Sequence, residues 1–277
     1  MAISFDDFAV YTFYYIHNNF ETMVNSLKKN GIHNVELYAN APHLCEMYEY
    51  TKEEKADILA NIKKKLNDAE IKLSCIFVPL GDCPTNLASE NGEVNEFSVN
   101  YVLRFLEDAK FLGAKGILID AGTGVLDHNA EEAWMRSERS LKRIVEAAEK
   151  LGVNVYLVPS LNGSNVVYDL PSLTKMIYSI GSGNLYACAD ASVISFNKES
   201  IADYFRIFGD KVGHVRIGNY TAAGELIEGN GKKMLAQYID VMNCYHYQGA
   251  ITIDINWDHL DSTDYASRKF VETFSKI

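Results

Sequence analysis

A single (βα)8 barrel spanning residues 1–277 is the fold this sequence predicts, on three observations. Short runs rich in β-branched and aromatic residues alternate eight times with longer amphipathic runs. No long linker or shift in composition divides the chain. The glycine-rich loop that usually follows the first strand of a doubly wound open sheet is missing, because the first apolar run leads into "YYIHNNF".

The apolar runs cover 8–16, 34–39, 71–79, 116–122, 154–160, 185–191, 214–219 and 250–257. Between them lie helical patterns. In "EFSVNYVLRFLEDAKFLGAK", residues Val99, Val102, Phe105, Leu106 and Ala109 recur at three- and four-residue spacing, and Gly113 closes the helix. The run "AEEAWMRSERSLKRIVEAAEKLGV" behaves alike and closes at Gly152.

Totals narrow the partners. The chain carries a formal net charge of −11, which disfavours a nucleic-acid backbone or an anionic membrane surface. No apolar run approaches the roughly 18 residues of a membrane span. Cys45, Cys75, Cys83, Cys188 and Cys244 are odd in number, scattered and without a CxxC pair, so they read as reduced thiols. The opening "MAISFDDFAVYTFYY" has no basic region of the signal-peptide kind, and a cytoplasmic location is expected.

In a barrel of this kind the site forms at the C-terminal ends of the strands. Those ends offer Tyr14 and His17, then Tyr38 and His43, then Asp82 and Asp120, then Val158 and Ser160. Asp190, Arg216, Asn219, Asp254, Asn256 and Trp257 complete the rim. A mouth this polar and aromatic suits a small hydroxylated ligand. Tyr14, Glu36, His43, Asn219 and Trp257 are the candidate ligand contacts. Glu36 lies inside the second strand, where it can anchor a loop or a sugar hydroxyl. His43 can reach the ligand or serve as a surface or helix-capping group. Trp257 is better placed for stacking than Trp134, which falls on a helix. The aromatic "YTFYYIH" can equally fill the mouth with bulk.

Four short stretches, "VELYANAPH", "PSLNGSNVV", "HVRIGN" and "EGNGK", resemble the sugar phosphate isomerase/epimerase family, the xylose-isomerase-like barrels. Ketose 3-epimerases, the fructoselysine 3-epimerase type among them, are nearest in look. The resemblance runs over nearly the whole chain. It implies a divalent ion held by a glutamate on strand five, an aspartate on strand six, a histidine on strand seven and a glutamate on strand eight. The matching positions here are Val158, Asp190, Arg216 and Asp254. Only Asp190 is unchanged. Asp254 keeps the charge on a shorter side chain, Val158 has no donor atom, and a guanidinium cannot ligate a cation. Where the family's tagatose-epimerase members have a substrate-contacting histidine, this chain has Val193.

The resemblance implies a ketose, ketose phosphate or amino-sugar conjugate as ligand, whereas Val158 and Arg216 at the ligand positions lead us to expect no resident cofactor, with manganese, cobalt or magnesium disfavoured. Asp190, Asp254 and Arg216 are the candidate catalytic group, with Arg216 in the place of the metal. Three carboxylates with one dication carry the same net charge as two carboxylates with one guanidinium. On that reading Arg216 lowers the carboxyl pKa of both aspartates. A purely structural ion-pair network is the other reading of the trio. An enzyme and a carbohydrate-binding or regulatory paralogue without catalysis both fit, and members of this group often pair into homo-oligomers on the mouth side.

Overall fold

The computed structural model describes residues 2–46, 50–80, 84–160, 164–219, 230–255 and 264–274. Eight parallel strands close into a barrel in chain order: β1 (Phe8–Tyr11), β2 (Asn34–Tyr38), β3 (Lys72–Phe77), β4 (Gly116–Ile119), β5 (Asn154–Leu157), β6 (Leu185–Asp190), β7 (Val212–Asn219) and β8 (Ala250–Ile255). The intervening helices are α1 (Phe20–Lys29), α2 (Lys52–Asp68), α3 (Gly92–Leu112), α4 (Ala130–Leu151), α5 (Leu170–Ile180), α6 (Ala191–Phe196), α7 (Ile201–Phe208), α8 (Asn230–Cys244) and α9 (Tyr265–Phe274). No helix among the described residues is long and apolar enough to cross a membrane.

The barrel follows the predicted alternation, and Gly113 and Gly152 take the left-handed backbone that ends α3 and α4. Two details differ. The first apolar run stops pairing at Tyr11, and Thr12–Tyr15 form a 3-10 turn. Thr12 supplies the reason: its hydroxyl accepts the Tyr38 N–H at 2.8 Å, the donor that a longer ladder would have paired with a carbonyl. After β6, two helices replace one. Asp190 accepts the Ser192 and Val193 N–H groups, which starts α6 immediately at the strand end.

The two faces of the strands bury different chemistry, as a period of two requires. Outward residues such as Val155, Leu157, Val215, Ile217, Ile251 and Ile253 join the broad apolar belt under the helices. Inward residues meet across the barrel. Cys75, Leu118, Tyr156, Val158 and Cys188 form a small separate apolar cluster inside it. Above and beside that cluster the interior turns polar.

Candidate functional site at the barrel mouth

Strand register creates the site. Alternation along "HVRIG" in β7 sends Val215 and Ile217 to the helices and leaves His214 and Arg216 facing inward. Asp190 pairs in register with Arg216 across β6 and β7, and Thr252 pairs with it across β7 and β8. Glu36 pairs with Cys75 across β2 and β3. These strands surround the barrel, so their side chains converge on its axis in two layers.

The upper layer centres on Arg216, which is buried. One terminal nitrogen, Nη2, lies 2.8 Å from Asp254 Oδ2 and 3.2 Å from Glu36 Oε1, and Nη1 lies 3.6 Å from Asp190 Oδ2. The guanidinium carbon also sits 4.7 Å from the Tyr11 ring and 4.9 Å from the Phe77 ring. A buried cation is thus surrounded by three carboxylates and two aromatic rings. Nη2 serves two carboxylates, and the two-nitrogen fork onto one carboxylate is not made. Nε and Nη2 have no hydrogen bond of ordinary geometry, so these contacts are charge pairs rather than aligned hydrogen bonds.

Each carboxylate has a second holder. Asp190 caps α6 through Oδ1, at 2.8 Å from the Ser192 N–H. The Tyr14 hydroxyl donates to Asp254 Oδ1 at 2.7 Å. Glu36 belongs to the lower layer as well. Its Oε2 is 2.9 Å from His214 Nε2, and the Cys75 thiol donates to the same oxygen at 3.6 Å. Thr252 Oγ1 lies 3.1 Å from His214 Nε2, and Cys75 Sγ lies 3.7 Å from His214 Nδ1.

Titration follows from this packing. Burial pushes Glu36 upward, but Arg216 and His214 outweigh it and hold the carboxyl down at about 2. Asp190 goes the other way. Its burial outweighs the pull of Arg216, and Asp254 adds repulsion, so its carboxyl is raised. That corrects the expectation that Arg216 depresses both aspartates: desolvation of Asp190 wins. Burial, then Asp254, raise the Tyr14 phenol well above its usual range, which keeps it a donor. Burial also pushes the Cys75 thiol well up.

The remaining expectations sort as follows. Glu36 has no exposed surface, so a direct sugar contact does not fit its position; it anchors Arg216 from below. His43 is buried against α1, with Nε2 2.9 Å from the Asn18 carbonyl and its ring edge-on to Phe20. Burial lowers its imidazole pKa. Asn219 ends β7 opposite Ile255. Trp257, Asn256 and Asp82 lie outside the described residues. His214, Cys75, Thr252, Tyr11 and Phe77 were not anticipated as site residues. Alternation on β7 was the signal for His214, two positions before Arg216 and on the same face.

A resident divalent ion of the family kind does not fit. At the implied positions Val158 is buried and apolar, and Arg216 is a cation already paired with the carboxylates an ion would need. Glu36, Cys75 and His214 do bring three donor atoms within 4.8 Å of one another. They are joined by contacts among themselves, the thiol is held protonated, and Arg216 stands against Glu36. This trio reads as the polar support of Arg216.

The family model of the xylose isomerase-like TIM barrel matches residues 24–273, and the chain belongs to that family. No curated protein matches the chain. Among solved structures it is similar to D-allulose 3-epimerase from Methylomonas sp. in complex with D-allulose, at 14% identity and a TM-score of 0.79, covering 99% of each chain. It is also similar to D-psicose 3-epimerase from Clostridium cellulolyticum H10 with D-tagatose, at 14% identity and a TM-score of 0.77, covering 98% of this chain and 96% of that one. The 3-keto-D-glucoside 4-epimerase of E. coli aligns at 14% identity and a TM-score of 0.74, covering 96% of this chain and 99% of that one. At these identities the likeness speaks for the fold.

Arg216→Met keeps much of the side-chain volume and removes the charge. It is expected to destabilise the protein by about 3–5 kcal/mol at neutral pH, because buried carboxylates lose their counter-ion. Glu36, depressed to about 2, contributes stability that is present above its unfolded value and lost as pH falls through about 2. The difference between wild type and variant in urea unfolding should therefore shrink in acid. A constant difference across pH would show that Arg216 acts through packing alone.

Proposed function

We propose that the mouth of this barrel binds a ketose or a related small polyhydroxylated ligand without a resident divalent ion, Arg216 standing where the ion would be. The family and its sugar-epimerase neighbours support the ligand class. The observation that carries the metal-free reading is the pairing of Arg216 with Asp190, Asp254 and Glu36. Tyr14 and Asp254 are the proposed ligand-facing pair, with Asn219 and Trp257 as further contacts.

Epimerisation next to a carbonyl needs proton carriers on both faces of the carbon and a positive group for the enediolate. Val158 removes one carrier at the family position. Asp190 is committed to capping α6, and Glu36 is sealed below Arg216. Asp254 remains, its side chain 29% exposed. Loss of epimerisation is the reading these residues support best, and the protein then acts as a sugar binder.

A second reading rests on Asp254 itself. A single carboxylate held between Tyr14 and a fixed guanidinium can remove a proton and return it to the neighbouring carbon on the same face. That chemistry interconverts a ketose and an aldose but does not invert a centre.

Two measurements test this. Elemental analysis after a manganese or cobalt soak and dialysis should find well under one ion per chain; a full retained equivalent would overturn the metal-free reading. Ketoses such as D-fructose, D-allulose and D-tagatose, incubated with the protein in deuterated water and followed by proton NMR, should give line broadening from binding with no 3-epimer. Appearance of the 3-epimer with deuterium at C3 refutes the loss of epimerisation, whereas an aldose product selects the one-carboxylate reading.

The positional carry-over has its own check. Val158→Glu with Arg216→His would restore the family's donor types at all four positions. Calorimetry with manganese should show a clear gain in affinity over the wild type. A folded double variant with no gain would mean that these four positions do not converge on an ion.

A further inference from the structure

A second buried charge cluster lies away from the Arg216 network, where the segment following β2 meets α2 and α3. Glu46 and Asp108 are both buried there, Asp108 with about 1% of its surface exposed. Lys55 of α2 bridges them, with Nζ 2.8 Å from Glu46 Oε1 and 2.8 Å from Asp108 Oδ1. Arg104 of α3 stands 3.3 Å from Glu46 Oε2 through Nε and donates through Nη2 to the Glu46 carbonyl at 3.2 Å. Its guanidinium also lies over the Tyr101 ring. Asp108 therefore faces Glu46 and Lys55 from two other elements, with Arg104 and Tyr101 of its own helix and the neighbouring Cys45 close to Glu46.

Asp108 Oδ2 is fully buried and accepts no hydrogen bond. A bare carboxylate oxygen in that position would be costly. An oxygen that carries a proton directed at the Glu46 carboxylate needs no donor. Lys55, the cation bridging both carboxylates, is already shared, and Arg104 reaches only Glu46 and is partly exposed.

We propose that Asp108 holds a proton which it donates to Glu46, and that this carboxyl–carboxylate bond latches the segment 39–46 to α3, loosening as the proton is lost with rising pH. The segment matters to the mouth. It follows Tyr38 at the end of β2 and carries His43, whose Nε2 meets the Asn18 carbonyl; the Ala39 N–H bonds to the Phe77 carbonyl and Leu44 is buried in the core. Asp108 is pushed up to about 7, first by burial and then by its bond to Glu46, against the pull of Lys55. A carboxyl raised in the folded state contributes stability that is fully present below its unfolded value and is lost as pH rises through the folded value. The latch should weaken between about pH 4 and about pH 7 and change little above that.

Hydrogen exchange of the full chain tests this at named amides. The His43 and Leu44 N–H groups both bond to the Asn40 carbonyl, so they report closure of the segment. After correction for the intrinsic rate, their protection should fall by up to tenfold per pH unit below about 7 and then level off. Amides of β5 serve as the reference for global opening. In Asp108→Asn the amide keeps a donor for Glu46 and has no proton to lose, so the slope should vanish. Glu46→Gln removes the charged acceptor, which should move the slope to lower pH, and it serves if the first variant does not fold. A wild-type profile parallel to β5, or an unchanged slope in either folded variant, would overturn the proposal.

Discussion

A guanidinium fixed on the axis of the barrel is the constraint from which the rest of the mouth follows. Arg216 is buried, and a buried cation must be compensated. Three carboxylates from β2, β6 and β8 close on it, so four strands are cross-linked at one point. Compensation by three anions overshoots, leaving an excess of negative charge. The excess is relieved one carboxylate at a time: Glu36 by His214 and Cys75, Asp254 by the Tyr14 hydroxyl, Asp190 by the N-terminus of α6 and by a raised affinity for its proton. The two-aspartate balance expected from the sequence omitted Glu36, and that omission is why it came out closer to neutral than the structure does.

The lower layer exists for the same reason. Glu36 could not face Arg216 alone in a closed interior, because only one of its oxygens meets the cation. His214 and Cys75 meet the other. The layer is small because the apolar cluster of Cys75, Leu118, Tyr156, Val158 and Cys188 fills the space beside it. Val158 belongs to that cluster, so its apolar side chain is packing as well as a missing ligand. A glutamate there would have to leave the cluster and compete for Arg216.

How much of this could be read in the sequence depends on how local each signal is. The barrel was legible because period-two and helical runs alternate eight times, and the ends of α3 and α4 were legible because glycine marks them. Arg216, Asp190 and Asp254 were legible because strand ends are identifiable in a barrel of known chain order. Glu36 was seen as inward, but its depth was not, because depth depends on the stagger of β2 against β7. The Glu46, Lys55 and Asp108 cluster was invisible for a related reason: its members come from a loop and two helices. One sign was present. Tyr101, Phe105, Asp108 and Leu112 share a helical stripe whose other members are buried hydrophobics, so a carboxylate on that stripe must be buried too.

A guanidinium and a divalent ion differ in what they allow a barrel mouth to do. An ion can leave when its ligands protonate or when a chelator competes, and its coordination can open to admit a substrate oxygen. Arg216 is covalently part of β7 and stays charged at any physiological pH. It cannot exchange a ligand for substrate, and all three of its carboxylates are held by second partners. What it gives instead is a permanent positive centre whose position does not depend on metal supply. In the proposed reading it is Asp254 and Tyr14 that face a ligand, while Glu36 is fully buried against Arg216. That is why the proposed reading favours holding a polyhydroxylated ligand over moving protons on and off both faces of one of its carbons.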